Sequence, residues 1–344
     1  MRALTVAPGA ADSARLDELP DPTIPDGHLR VETMLVGVCG TDAEIVHGSY
    51  GRAPEGEDRL VLGHEALGRV SSAAGAFQVG DLVVPIVRRP DPVPCGACAA
   101  GEWDMCENGR FSEHGITGAH GFARDRFALD PAYAVAVPEG LGRSAVLVEP
   151  ASVVAKAWEQ IERIGSRAHW DPSAVLVTGA GPVALLAAMM SRQRGFDTVV
   201  LDRVSDGPKP ELVEALGARY TTAPVADARP KPDIVIECTG AGAVVLDAIA
   251  HTAPSGIVCL AGLSSGAHTV ELDAASLNRE LVLENDVVFG TVNANRRHYE
   301  AAVRSLERAD RMWLEALITR SVPVAKWRGA LTREEHDVKV VLEL

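Results

Sequence analysis

The chain has 344 residues, 47% of them apolar but only 4% aromatic, which is enough for two domains whose cores rest on aliphatic packing. Its 33 basic and 47 acidic residues leave a formal charge of −14, and no Lys/Arg-rich run offers a footprint for a polyanion, so a nucleic-acid partner is excluded. No signal-peptide core precedes Pro8 and Asp12, and the longest apolar stretch, 174–190, is broken by Gly-Ala-Gly-Pro; neither a leader nor a membrane span is expected.

Up to about residue 150 the chain reads as short β runs, at 29–36, 67–70 and 82–87, punctuated by Gly, Pro and Asp. That pattern predicts a compact, partly open β-barrel. Among these runs lie Cys39-Gly40-Thr41-Asp42, then Gly63-His64-Glu65, and later Glu149 in Val148-Glu149-Pro150. A thiolate, an imidazole and carboxylates are the ligand types of open catalytic zinc sites, where three protein ligands leave one position free. Taken one at a time, the same residues read as a buried thiol, a satisfied histidine and surface acids. Cys95, Cys98 and Cys106 form a second metal-like group, whereas Cys238 and Cys259 lie in apolar runs and read as buried thiols. Such usage points to a reducing cytoplasm rather than secretion.

From residue 151 the rhythm changes. A connecting helix over 151–164 precedes strands at 174–178, 198–202, 233–238, 256–261 and 286–289, alternating with helices at 183–194, 210–216, 243–252 and 274–284. Alternation of this kind predicts a doubly wound parallel sheet. The first strand breaks into Gly179-Ala180-Gly181-Pro182-Val183-Ala184. In such a turn the first Gly allows the tight bend and the second lets backbone approach a pyrophosphate, which rests on the helix N-terminus. The next strand ends at Asp202, where an acid is expected on the adenosine ribose. After a helix at 297–307 the chain finishes in a strand at 337–342, which is expected to return to the first domain.

With both halves read, the chain resembles a zinc-dependent medium-chain dehydrogenase, and more specifically the glucose 1-dehydrogenase (aldose dehydrogenase) branch. The stretches that carry the likeness are Val38-Cys39-Gly40-Thr41-Asp42-Ala43-Glu44-Ile45, His47-Gly48-Ser49-Tyr50-Gly51, Leu60-Val61-Leu62-Gly63-His64-Glu65 and Val87-Arg88-Arg89-Pro90. Met105-Cys106, Glu113-His114-Gly115-Ile116, Val148-Glu149-Pro150 and Gly290-Thr291-Val292-Asn293 add to it. The resemblance implies an α/β protein with a GroES-like, partly open β-barrel catalytic domain at 1–152 and 294–344, and a Rossmann domain with its doubly wound parallel sheet at 153–293.

It also implies a catalytic zinc held by Cys39, His64 and Glu149, with Glu65 beside the metal and able to exchange with water. Asp42 would orient His64 through its outer ring nitrogen. Thr41 would accept the hydrogen bond of the reacting hydroxyl and start a proton relay that ends at Glu44 or at His47. Glu113, Glu149 and Asn293 fall where aldose dehydrogenases contact sugar hydroxyls. Cofactor contacts are expected at Gly179, Gly181, Pro182, Val183, Asp202, Arg203, Thr239, Gly240, Leu260, Gly262 and Thr291.

Cys95, Cys98 and Cys106 resemble a structural zinc lobe that normally offers four thiolates. Here the first of those positions is Pro92, and Asp91 beside it is the substitute ligand; the alternative is an empty lobe. Asp202 favours NAD, while Arg203 and Lys209 could pair with a 2′-phosphate, so NAD preference or dual NAD/NADP use is expected. The implied activity is oxidation of an aldose at C1 to its lactone. A polyol, cyclitol or modified-sugar dehydrogenase is the alternative enzyme, and a nucleotide-binding redox sensor the alternative outside catalysis. A small-molecule sugar or polyol is the expected partner, in a homodimer or homotetramer.

Overall fold

The computed structural model describes residues 1–264 and 269–344. They divide into two compact units, Met1–Ser152 with Asn293–Leu344, and Val153–Val292. The boundary places Asn293 in the first unit, one residue away from the division read in the sequence.

The first unit is organised by its longest strand, Leu29–Val38, whose residues alternate between buried and half-buried before ending in an apolar run. Such alternation suits a strand with one face on a core. It pairs antiparallel with Glu65–Ser72, Arg126–Leu129 and the C-terminal strand Lys339–Glu343. Across the sheet the order is Ala134–Val137, Leu82–Pro85, Glu65–Ser72, Leu29–Val38, Lys339–Glu343 and Ile318–Pro323, an open path rather than a closed ring. The chain terminus thus returns to the first unit. Ile318–Pro323 was not foreseen, because its short run ends in proline and carries few apolar residues.

The second unit holds a six-stranded parallel sheet in the order Arg219–Thr221, Asp197–Leu201, Ala174–Thr178, Ile234–Glu237, Ile257–Leu260 and Val287–Gly290. This is the doubly wound order, and it reverses between Ala174–Thr178 and Ile234–Glu237. Both strands at the reversal are buried along their whole length, as strands covered on two faces must be. The edge strand Arg219–Thr221 escaped the sequence reading, since it is three residues long and largely polar. Helix Val148–Gly165 begins earlier than expected and takes Pro150 into its first turn, where a missing N–H costs nothing.

Within the core of the first unit, His114 stacks on Phe122 at 5.0 Å, and Phe122 packs on Phe127 at 4.7 Å. His114 Nδ1 donates to His120 O at 2.6 Å, which fixes the tautomer of the neutral ring. Burial, reinforced by the charge of Arg89, pushes its pKa down to about 3. The unfolded chain therefore binds the proton more readily, and stability falls as pH drops below about 6.5 towards 3. Unfolding free energies at pH 7 and pH 5 should differ by about 1–2 kcal/mol more in the wild type than in His114→Asn. Parallel losses in the two proteins would sink this assignment.

Candidate active site

Cys39 is the N-cap of helix Gly40–Val46. Its sulphur accepts from Thr41 N at 3.3 Å, and its own N–H donates to Asp42 Oδ2 at 2.9 Å. This reciprocal cap explains the local sequence, because both ends of the first turn find side-chain partners. It also fixes the sulphur, which stands 3.1 Å from His64 Nε2. His64 Nδ1 lies 3.5 Å from Asp42 Oδ1, too long for a strong hydrogen bond but short for an ion pair. Asp42 thus serves the cap with one oxygen and faces the outer nitrogen of His64 with the other.

One donor atom each from Cys39, His64 and Glu65 lies within 4.8 Å of the other two. Glu65 sits on the strand next to Leu29–Val38 and is 3% exposed. Its Oε2 forms an ion pair with Lys339, itself 1% exposed, whose Nζ also donates to Val38 O at 3.1 Å. Glu149, in the first turn of helix Val148–Gly165, is not part of that three-residue group but shares its field. Burial first, and the charge of Glu65 second, push its carboxyl up to about 7. A thiol, an imidazole and two mutually repelling carboxylates, with a His nitrogen aimed at the sulphur, suit a divalent cation of the zinc type.

Lys339 was missed by sequence reasoning. It sits 274 positions from Glu65 (339 − 65), and the only available signal was one cation inside the apolar strand Lys339–Glu343.

Glu113 faces Arg88 directly across an antiparallel pair, and its Oε1 accepts from Arg88 Nε at 3.1 Å, Arg88 Nη2 at 2.9 Å and Asn293 Nδ2 at 2.7 Å. Gly115 keeps this turn close to His64. At φ +76° it lies against the backbone of Gly63, where a Cβ would collide with the Gly63 carbonyl. Asn293 also has a left-handed backbone, φ +62°, uncommon for a residue other than glycine. Thr41 and Glu44 are half-buried on helix Gly40–Val46, and His47 is its exposed C-cap.

Cys95, Cys98 and Cys106 also cluster with donor atoms within 4.8 Å. Cys95 Sγ accepts from Glu107 N at 3.4 Å. Asp91 is not in that group: its oxygens accept from Val93 N at 2.9 Å and from Asn108 Nδ2. Three thiols are therefore gathered, while the expected fourth ligand is engaged elsewhere.

In the second unit Gly179 turns at φ +86°, and Gly181 caps helix Pro182–Gln193 without a side-chain partner, which leaves the first N–H groups of that helix free for an anion. Val183 lies in its first turn. Asp202 Oδ2 accepts from Ala180 N at 2.7 Å and from Lys209 Nζ at 2.9 Å, while Arg203 is exposed. Thr239, Gly240 and Gly262 follow the ends of neighbouring strands. Leu260 O accepts from Thr291 N at 3.0 Å, and the buried Thr291 hydroxyl has no partner among the described residues.

Sequence reasoning passed over Glu237, a fully buried carboxylate that accepts from Thr178 Oγ1 at 3.2 Å, Thr239 N at 2.7 Å and Gly240 N at 3.1 Å. It ties together two strand ends of the dinucleotide turn. The acid in Glu237-Cys238-Thr239-Gly240 was the available signal.

Removing Lys339 leaves Glu65 as a buried carboxylate without its cation, a change that costs about 3–5 kcal/mol. Lys339→Met should lower the unfolding free energy of chelator-treated protein by that amount, and less once zinc is restored. An unchanged urea midpoint without metal would show that the pair contributes nothing.

Residues 25–139 match the family described as alcohol dehydrogenase GroES-like domain, and residues 142–344 match glucose dehydrogenase C-terminus. Glucose 1-dehydrogenase of Thermoproteus tenax is 43% identical over 353 residues, covering 100% of this chain and 99% of its own. The Methanocella arvoryzae enzyme of the same name is 38% identical over 357 residues, with the same coverage of 100% and 99%. Among solved structures, Haloferax mediterranei glucose dehydrogenase in complex with NADP, Zn and gluconolactone superposes with a TM-score of 0.93 at 34% identity, over 100% of this chain and 99% of that one. The chain belongs to the zinc-dependent medium-chain dehydrogenases, in their glucose dehydrogenase branch.

Proposed function

We propose that the chain oxidises an aldose, D-glucose or a close relative, at C1, passing the hydride to NAD(P) and releasing the lactone. The observation that carries this reading is the buried group Cys39, His64 and Glu65, with Glu149 in its field and Glu113 held beside it by Arg88 and Asn293. Relatives named glucose 1-dehydrogenase, and the Haloferax structure with NADP, Zn and gluconolactone, support it.

Cys39, His64, Glu149 and Glu65 would hold zinc, which supplies a Lewis acid that eases ionisation of the C1 hydroxyl, while the nicotinamide supplies the hydride acceptor. The protein's own part is to bind, orient and take the proton. Thr41 presents a hydroxyl in the first turn of the Cys39-capped helix and accepts the hydrogen bond of the reacting hydroxyl. Glu44, one turn further along, or His47 at the helix end, passes the proton to solvent. Glu113, Glu149 and Asn293 bind the remaining hydroxyls, and Asp42 keeps His64 in one orientation. Cys95, Cys98 and Cys106 would hold a second, structural ion, with Asp91 as fourth ligand only if its carboxylate leaves Asn108.

Asp202 favours a ribose diol, but its pairing with Lys209 softens its repulsion of a 2′-phosphate, and Arg203 is free at the surface to receive one. NAD preference with appreciable NADP use follows. The protein is further read as a homodimer or homotetramer. The sheet of the second unit ends at the half-buried strand Val287–Gly290, and nearby helix Ala274–Glu284 buries none of its residues, with Val282 66% and Leu283 64% exposed. Six free cysteines suit the cytoplasm. Among the described residues, no helix is long and apolar enough to cross a membrane.

Purified zinc-loaded protein should reduce NAD with glucose and form gluconolactone. Cys39→Ser should lose about 10²-fold or more in kcat while NAD still binds. Turnover of a ring secondary alcohol with no activity on any aldose would overturn the reading. In cofactor assays, kcat/KM for NAD should exceed that for NADP by about tenfold or less, because Lys209 offsets Asp202; a large NADP preference would defeat the Asp202 argument.

A further inference from the structure

Glu113 is a nearly buried carboxylate whose two oxygens are used very unequally. All three of its donors, Arg88 Nε, Arg88 Nη2 and Asn293 Nδ2, converge on Oε1. Among the described residues, Oε2 accepts no hydrogen bond. Oε1 is thus fully engaged, while Oε2 keeps its lone pairs for a ligand hydroxyl.

Arg88 has little freedom to do anything else. It is 5% exposed, its guanidinium lies 3.7 Å from the centroid of the Phe111 ring, and Nη1 reaches Asp104 O at 3.4 Å. Its fork is thus clamped on an aromatic face, with two of its nitrogens on one carboxylate oxygen. Asn293 adds the third donor from a left-handed backbone that its own Oδ1, accepting from Ala294 N at 2.8 Å, helps to hold.

We propose that Arg88, seated on Phe111, is a positioning residue for sugar specificity: by holding Glu113 through Oε1 it presents Oε2 as a fixed acceptor for one ring hydroxyl of the substrate. This rests on the aldose reading above. Arg88 itself touches no substrate. Its contribution is to remove the carboxylate's rotational freedom before binding, so that a sugar lacking that hydroxyl covers a charged oxygen without pairing it.

The test is a cycle between protein and substrate, run on the zinc-loaded enzyme with saturating NAD, glucose and the 2-, 3-, 4- and 6-deoxyglucoses. In the wild type one deoxyglucose should fall about 10–100-fold below glucose in kcat/KM, the worth of a hydrogen bond to a charged group. Arg88→Met should lower kcat/KM for glucose by a similar factor, chiefly through KM, yet change that one deoxyglucose by less than about threefold. Arg88→Lys should recover part of the discrimination. Arg88→Lys also serves if Arg88→Met fails to fold, because it keeps a cation for Glu113 while giving up the two-nitrogen fork.

Equal losses on glucose and every deoxyglucose in both variants would make Arg88 a cross-strand tie of the fold and overturn the proposal while leaving glucose oxidation intact. A wild type that oxidises glucose but treats all the deoxyglucoses alike overturns it as well. A wild type that oxidises no aldose defeats the aldose reading, and this proposal with it.

Discussion

Like charge gathered in a buried place is the constraint around which the first unit is built. Glu65 and Asp42 lie with the Cys39 sulphur and His64, and burial first, with the charge of Glu65 second, lifts the Glu149 carboxyl to about 7. A fold tolerates this only with compensating positive charge. Lys339 provides part of it from the neighbouring C-terminal strand. The donor set accounts for the rest, because a divalent cation is what such a cluster attracts. The return of the chain terminus to the first unit is therefore more than topology: it delivers the ammonium group that lets Glu65 remain buried.

What could be read in the sequence was whatever is written locally. The Cys39-Asp42 cap, the His64-Glu65 pair and the glycine turn at 179–181 each fit in a few residues, and each was legible because one turn of backbone imposes its own spacing. The strands of the parallel sheet were legible as apolar runs for the same reason. Lys339, Arg88 and Glu237 were not, since their meaning lies in partners from other strands. Arg88 belongs to a local motif, yet nothing in Val87-Arg88-Arg89-Pro90 says which arginine turns inwards. Asp91 is a contrasting case: adjacency to a missing cysteine suggests a ligand, while its oxygens accept from Val93 and Asn108, partners no local spacing foretells.

The two carboxylates on which each unit relies are handled differently. Glu237 is saturated by hydroxyl and backbone donors from the segments that flank the dinucleotide turn, so it acts as a fixed internal strut. Glu113 is saturated on one oxygen alone. Complete satisfaction makes a rigid scaffold, and half satisfaction makes a receptor. The distinction rests on how many donors the neighbouring strands bring to each oxygen, which no inspection of residue types can count.

The Asp202–Lys209 pair has a consequence for how this chain can change over generations. Lys209 is 8% exposed, and its ammonium is 2.9 Å from Asp202. A lineage that traded Asp202 for a small residue, to make room for a phosphorylated ribose, would strand a buried cation and loosen the Ala180 amide that the same carboxylate accepts. Coenzyme choice is therefore tied to the integrity of the turn, and drift from one coenzyme to the other has to pass through paired replacements or bring its own anion to Lys209. A bound 2′-phosphate is one such anion, so the ligand itself could bridge the gap that the first replacement opens.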